Sequence, residues 1–146
     1  MVNYRSPSEL NDRFDRAWQS AKSPLGDSGR FAVESYLDFH GNKFTRRFDA
    51  NSYITLVNAM NSHDVTRDRG SLEDVLGAIS TPTLVLGIST DRLFPIEQQQ
   101  QLAEHLPNAL EGHTALALDS PYGHDGFLIE AEAVGEAIAR LLSTAG

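Results

Sequence analysis

Two short apolar runs, each followed by a polar loop, constrain the fold of this chain more than any other feature. They cover residues 83–88 and 114–118. Continuous apolar runs of this length are typical of parallel strands that are covered on both faces. Two such strands do not make a complete sheet, because their outer edges leave backbone N–H and C=O groups unpaired. We therefore expect this pair to dock against further strands that are not among these residues.

Residues 1–70 are predicted to form helices. The apolar residues at helical spacing are Leu10, Phe14 and Trp18 in a first helix, and Tyr53, Leu56, Val57 and Met60 in a later one. Either Ser6 or Ser8 can cap the first helix. A second helix carries Val33, Tyr36 and Leu37, and Gly41 is expected to end it. This part of the chain is therefore predicted to be a separate helical region.

Residues 71–146 instead alternate helix and strand, which predicts two parallel βα units of an α/β fold. Ser71, with Asp74 three residues later, is close to a capping box and is expected to begin a short helix. Pro95 is expected as the first residue of the helix between the two strands, because its missing N–H costs nothing there. The last helix carries a regular apolar stripe over residues 134–142.

The composition excludes several classes of function. The formal net charge is -8, which argues against binding to nucleic acid or to an anionic membrane surface. There are no cysteines, so neither disulfides nor thiolate–zinc sites are expected. No apolar stretch approaches the ~20 residues that span a bilayer, and the first residues do not resemble a signal peptide. We therefore expect a cytoplasmic protein without a membrane segment.

Asp91 and His124 are the candidate catalytic residues, because each lies on the loop after one of the predicted strands. Functional side chains of open α/β sheets collect at the carboxyl ends of the strands. A buried carboxylate there can fix the tautomer of an imidazole and stabilise its protonated form. Each residue also has an ordinary interpretation: Asp91 as a turn residue or an ion-pair partner of Arg92, and His124 as a loop histidine. The pair together favours the catalytic interpretation.

The order of acid and then histidine matches the second half of an α/β-hydrolase triad, which runs Ser, Asp, His. The strand–serine–helix elbow that comes first in that order is not found in this sequence. Ser89 has a Gly two residues before it, but Asp91 stands where the elbow needs a small residue. We therefore reject Ser89 as a nucleophile. The predicted fold class is the C-terminal part of an α/β-hydrolase fold, lacking the N-terminal sheet and the nucleophile elbow.

Asp125 is the third candidate site residue, since it directly follows His124. It can bind a cationic group of a substrate, such as an α-amine, beside the base. The alternative is an acid on the surface near a helix, and the local sequence leaves both open. The remaining histidines show no metal-ligand spacing, so no metal site is predicted; they are His40, His63, His105 and His113.

Five stretches of the sequence, in order, resemble the C-terminal portion of homoserine O-acetyltransferases, an acyltransferase family of the α/β-hydrolase superfamily. They are residues 4–6 (YRS), 31–37 (FAVESYL), 47–53 (RFDANSY), 91–95 (DRLFP) and 122–128 (YGHDGFL). The resemblance implies transfer of an acetyl group from acetyl-CoA to L-homoserine in methionine biosynthesis. It implies an acyl-serine intermediate and no cofactor beyond the acetyl-CoA substrate.

The same resemblance implies a role for each candidate residue. Asp91 matches the acid of the triad, His124 the base, and Asp125 a substrate-binding aspartate. The helical region, here residues 1–70, matches a lid that walls the acyl tunnel and forms a homodimer, and residues 71–146 match the C-terminal part of the hydrolase core.

The family's nucleophilic serine, oxyanion-hole loop and substrate-binding arginine lie upstream of the resemblance. We therefore expect this chain to be inactive alone and to need the N-terminal portion of the same enzyme. Two alternatives stay open. The first is the same fold with succinyl-CoA as donor or serine as acceptor. The second is a non-catalytic lid and half-sheet module that binds a partner.

Overall fold

The structure, a computed structural model, describes residues 4–26 and 28–144. Its helices and strands are, in chain order, α1 (Pro7–Phe14), α2 (Ala32–Thr45), α3 (Ala50–Ser62), α4 (Leu72–Gly77), β1 (Leu86–Ile88), α5 (Ile96–His105), β2 (Leu116–Leu118), α6 (Gly126–Ile129) and α7 (Ala131–Thr144). A 3₁₀ turn (Gly123–Asp125) directly precedes α6. The chain divides into two compact units. We call residues 4–9 with 65–144 the strand unit, and residues 10–64 the helical unit.

The helical unit differs from the prediction at two points. The first helix ends at Phe14, because Asp15 leaves helical geometry with a φ of 39°. The prediction that Trp18 lies on this helix is therefore wrong. Trp18 instead forms an isolated antiparallel bridge with Phe31. The predicted stop at Gly41 is also wrong, since α2 continues to Thr45. A single glycine costs a helix only about 1 kcal/mol relative to alanine, which the flanking residues offset.

The apolar stripe of α3 lies on the surface of the helical unit. Tyr53, Leu56 and Met60 expose 50%, 51% and 67% of their surface. None of the described residues of this unit is fully buried. Its ring contacts include Phe14 with Tyr36, centroids 5.0 Å apart, and the stacking of Phe44 on Phe48, centroids 5.2 Å apart. The sequence period predicted an apolar face correctly, but in the described part of the unit this face stays largely exposed, with Phe44 contacting Tyr53 at a centroid distance of 5.4 Å.

The strand unit contains the predicted parallel pair. Leu86 pairs with Leu116 and Ile88 with Leu118, so β1 and β2 run side by side in the same direction. Both strands are shorter than predicted. Thr83 pairs instead with Ala109, in an isolated bridge ahead of the main ladder. The ladder is interrupted because the segment between Ala109 and β2 turns away at Gly112 and His113, which have φ values of 61° and 64°.

Helices pack closely on this pair. A Cβ atom on Gly87 would lie 2.6 Å from Cδ1 of Ile96, so α5 sits directly against the backbone of β1. The buried apolar residues all belong to the strand unit: Leu76, Ile88, Ala103, Leu106, Ala115 and Ala137. The capping box predicted at Ser71 is present, with Asp74 N–H donating to Ser71 Oγ at 3.1 Å and Ser71 N–H to Asp74 Oδ2 at 3.0 Å. The core is small, and its residues lie on α4, β1, α5 and α7, at the end of α5 and just before β2.

Candidate active site

The carboxyl ends of β1 and β2 bring Asp91 and His124 together. Because the strands are parallel, the loops that follow them leave the same edge of the pair. Nδ1 of His124 lies 2.8 Å from Oδ2 of Asp91, across 33 residues of sequence. This is hydrogen-bond geometry between the two residues that the sequence singled out.

The Asp91 carboxylate is held by three hydrogen bonds. Oδ1 accepts the backbone N–H groups of Leu93 at 2.8 Å and Phe94 at 3.0 Å, while Oδ2 faces His124. Burial acts to raise the pKa of Asp91, since its side chain is only 6% exposed. The bonds from His124, Phe94 and Leu93 together outweigh burial and hold this pKa below its ordinary value of 3.8. Asp91 is therefore ionised at neutral pH.

An ionised carboxylate can only accept a hydrogen bond, so Nδ1 of His124 carries the proton. In the neutral imidazole this leaves the lone pair on Nε2, which makes no hydrogen bond within the described part of the chain. Three aromatic rings surround the imidazole, with centroids 5.1 Å away for Tyr4 and 5.2 Å away for both Phe94 and Phe127. The ring is thereby restrained in both tautomer and orientation.

Thr90 and Gly123 join the two loops behind the pair. Thr90 Oγ1 donates to the carbonyl of Ser120 at 2.6 Å and accepts the N–H of Gly123 at 3.0 Å. Gly123 has a φ of 64°, and a Cβ there would lie 2.7–2.8 Å from backbone atoms of residues 4–6. Only glycine fits this conformation and this close approach without strain.

Asp125, on the 3₁₀ turn with His124, already faces a cation. Nε of Arg5 lies 3.1 Å from its Oδ2, and the Asp125 side chain remains 30% exposed. Arg5 also approaches Glu9, at 3.6 Å. The carboxylate is thus next to the base, as the sequence order requires, and it is accessible. Its predicted role toward a substrate amine stays a prediction.

Ser89 has a different partner from the one a nucleophile needs. Its hydroxyl donates to Oδ1 of Asp119 at 2.9 Å and accepts the N–H of Ser120 at 3.4 Å. These bonds link the ends of the two strands. They agree with the rejection of Ser89 as a nucleophile on sequence grounds.

Asp91 and His124 lie at one end of an open apolar groove along β1. Its lining includes Leu86 from β1, Leu102 from α5, Phe127 from α6, and Ile138 and Leu141 from α7. Leu102, Phe127 and Ile138 expose 39%, 41% and 48% of their surface. Within residues 4–26 and 28–144, β1 pairs in its ladder only with β2. The strand pair therefore has an edge of β1 without a partner strand in this part of the chain, and an exposed apolar groove lies beside it.

The sequence did not reveal the contribution of the N-terminal segment to this site. Tyr4 packs on the His124 ring and Arg5 pairs with Asp125, more than 115 residues away in sequence. Phe94 also contacts the imidazole. No periodicity or spacing could signal these contacts, because they depend on tertiary folding. The helix-cap signal at Ser6 was readable, and Ser6 Oγ does accept the N–H of Glu9 at 3.1 Å.

Two further observations concern the described residues. No helix in them is both long and apolar enough to cross a membrane. Nor do the His, Asp and Glu side chains of that same part of the chain form a group of three suited to hold a metal ion.

The relatives found by comparison with known proteins, three of which follow, are named homoserine O-acetyltransferase. No protein-family model matches the chain. The homoserine O-acetyltransferase of Clavibacter michiganensis subsp. michiganensis is 62% identical over 144 residues, which are 99% of this chain and 37% of the relative. That of Leifsonia xyli subsp. xyli is 62% identical over 98% of this chain and 36% of its own length. That of Mycobacterium sp. (strain KMS) is 50% identical over 99% of this chain and 38% of its own.

The identity extends over almost the whole chain but over a minor part of each relative, because the chain spans about 37% of the Clavibacter enzyme. By sequence, almost the whole chain is similar to homoserine O-acetyltransferases, and this similarity is consistent with a C-terminal portion of such an enzyme.

Proposed function

We propose that this chain supplies the acid and the base of an acetyltransferase site. In that site an acetyl group passes from acetyl-CoA to the hydroxyl of L-homoserine, a step of methionine biosynthesis. The observation that carries the proposal is the 2.8 Å contact between His124 Nδ1 and Asp91 Oδ2, at the carboxyl edge of a parallel strand pair. The 62% identity to an enzyme named for this reaction supports the choice of substrate.

In this proposal His124 is the general base of both half-reactions. Its Nε2 takes the proton of a serine hydroxyl as the serine oxygen attacks the thioester carbonyl, and the proton passes to the departing CoA thiolate. Nε2 then takes the proton of the homoserine hydroxyl, whose oxygen attacks the acyl-serine carbonyl, and His124 returns that proton to the departing serine oxygen, which regenerates the serine and frees O-acetyl-L-homoserine. Asp91 stays ionised throughout and stabilises the imidazolium through Nδ1.

Asp125 is proposed to bind the α-ammonium group of homoserine. Its 30% exposure and its position next to His124 support this role, since the ammonium and the reacting hydroxyl belong to one small molecule. Arg5 offsets part of the negative charge of Asp125. The ammonium group would bind the exposed part of this carboxylate, while Arg5 stays paired with Oδ2.

The serine nucleophile is proposed to come from the portion of the enzyme that the relatives have and this chain does not. The open groove along β1 is the proposed docking place. Its apolar lining and the second edge of β1 suit a further strand, and Asp91 and His124 lie at one end of it. No cofactor is proposed, and acetyl-CoA enters as a substrate.

The setting of the enzyme is also part of the proposal. A homodimer contact through the helical unit is supported by the exposed apolar stripe of α3, at Tyr53, Leu56 and Met60. We also propose a cytoplasmic location, because the chain has no cysteines and so needs no oxidising compartment for disulfides.

Complementation tests the proposal. Release of free CoA thiol from acetyl-CoA and L-homoserine is measured for this chain, for the remaining portion of the Clavibacter enzyme, and for the two mixed. The chain has 0 cysteines, so it adds no thiol background. We expect turnover only in the mixture, and none when the chain carries His124→Ala. Turnover by this chain alone, or undiminished turnover with His124→Ala, would contradict the proposal.

The same assay separates the alternatives. Faster turnover with succinyl-CoA, or with L-serine as acceptor, would favour a different acyltransferase of the same fold. Stable association with the remaining portion, but without turnover of any of these substrates, would favour a non-catalytic module.

A further inference from the structure

We infer that Ser6 is a positioning residue for His124: its buried hydroxyl ties the start of α1 to the loop that carries the base. The inference rests on the proposed function, and it adds a residue from the opposite end of the chain to the site. Ser6 is 1% exposed, whereas most polar residues of this chain are accessible. A hydroxyl buried to this degree must make its hydrogen bonds within the protein.

The Ser6 hydroxyl serves two elements at once. It accepts the N–H of Glu9 at 3.1 Å, which caps α1, and it donates to the carbonyl of Pro121. Ser8 Oγ lies 3.0 Å from it. Pro121 is three residues before His124, at the start of the same loop. One oxygen atom therefore joins two stretches of chain that are 115 residues apart.

The neighbours of Ser6 contact the same loop residue by residue. The backbone of residues 4–6 lies so close to Gly123 that a Cβ there would be 2.7 Å from Ser6 N. Tyr4 packs edge-on against the His124 ring, and Arg5 pairs with Asp125. These contacts place residues 4–6 along the loop that carries His124. The buried Ser6 hydroxyl adds a hydrogen bond to the Pro121 carbonyl of that loop.

The His124 loop has two sets of attachments, one from the segment after β1 and one from residues 4–6. Thr90 holds the backbone of Gly123 and Ser120 from the β1 side. In the second set the Ser6 hydroxyl makes a hydrogen bond to the loop backbone, beside the Arg5–Asp125 ion pair and the Tyr4–His124 ring contact, so its loss should let the loop and the Nε2 atom move. A general base that must approach a hydroxyl within about 3 Å loses rate steeply when displaced.

The test uses the full-length protein, made by joining this chain to the remaining portion of the Clavibacter enzyme. Ser6→Ala removes the hydroxyl, and Ser6→Gly removes it while keeping a residue type that caps helices well. Ser71→Ala is the matched control, because Ser71 caps α4 in the same way but does not contact the His124 loop. Rapid-mixing experiments give the rate constants of both half-reactions per active site, and burst amplitude counts the folded, reactive sites.

We expect both Ser6 variants to slow acyl-enzyme formation and acyl transfer about ten-fold each. Ser71→Ala should keep both rate constants, and Ser6→Thr, which retains a hydroxyl, should restore most of the rate. A purely structural role predicts a smaller burst amplitude with normal rate constants, and that result would overturn the inference. If the unaltered full-length protein shows no turnover, the proposed function itself fails.

Discussion

The two carboxylate oxygens of Asp91 have different partners, and this difference predicts how substitutions at Asp91 and His124 change kcat. The bond to His124 Nδ1 fixes the tautomer, while the N–H groups of Leu93 and Phe94 fix the carboxylate. In the full-length protein, His124→Ala should lower kcat by about four orders of magnitude, and Asp91→Asn by nearly as much. Steady-state thiol release measures both.

The control for this pair is His63→Ala, at the exposed end of α3 in the helical unit. It should leave kcat unchanged. Near-normal turnover in either the Asp91 or the His124 variant would remove both residues from the proposed mechanism.

The lowered pKa of Asp91 predicts how stability depends on pH. Because this carboxyl has a lower pKa folded than its ordinary 3.8, its ionised form stabilises the folded state above about pH 4. That contribution is lost as pH falls from about 4 through the lowered pKa. Urea unfolding of the chain at a series of pH values should show a steeper loss of stability below pH 4 than the Asp91→Asn variant does. Equal acid slopes would show that Asp91 is not held in this way.

At the scale of elements, the packing of α5 on β1 depends on a residue without a side chain. A Cβ on Gly87 would lie 2.6 Å from Ile96 Cδ1 and 3.0 Å from Gln99 Cγ. Gly87→Val should therefore push α5 away and lower the free energy of unfolding by about 1–3 kcal/mol. Thermal or urea unfolding measures the change.

The comparison for Gly87 is Gly135→Ala, in the middle of α7. A Cβ at Gly135 meets nothing within 4 Å, so alanine should stabilise the helix by roughly 0.5–1 kcal/mol. A loss of stability at Gly135, or none at Gly87, would contradict this packing.

The elements also show where local sequence signals are sufficient. The Ser71 capping box follows from the side chains of a few adjacent residues, and it is present. The prediction of Pro95 as the first residue of α5 is off by one position, because Pro95 is the N-cap and the helix begins at Ile96. The end of α1 was predicted incorrectly, because Trp18 finds a partner in Phe31 that its periodicity does not encode. The strands came out short because their pairing depends on a turn at Gly112 and His113 in the partner segment.

For the molecule as a whole, the open groove predicts a surface that needs a partner. Ile138 lines it and is 48% exposed, while Glu136 lies on the opposite side of α7. Ile138→Lys should change the unfolding free energy of the chain by no more than about 0.5 kcal/mol, as for an exposed residue. It should nevertheless weaken association with the remaining portion of the enzyme more than ten-fold, because it places a charge in an apolar interface.

Titration calorimetry or the complementation assay measures that association. Glu136→Lys, on the other face of the same helix, is the control and should associate normally. Equal affinity for both variants would show that the groove is not the docking surface.

The sequence by itself determined the parallel pair, the helix-cap at Ser71, and the placement of Asp91 and His124 after successive strands. Each of these follows from short-range periodicity or from the rule that parallel strands share a carboxyl edge. Only the tertiary structure decided that Tyr4, Arg5 and Ser6 line the His124 loop, and that Asp125 faces a cation. These contacts join residues 115 or more positions apart, and their energy comes from burial and close approach at Gly123, which no local pattern encodes.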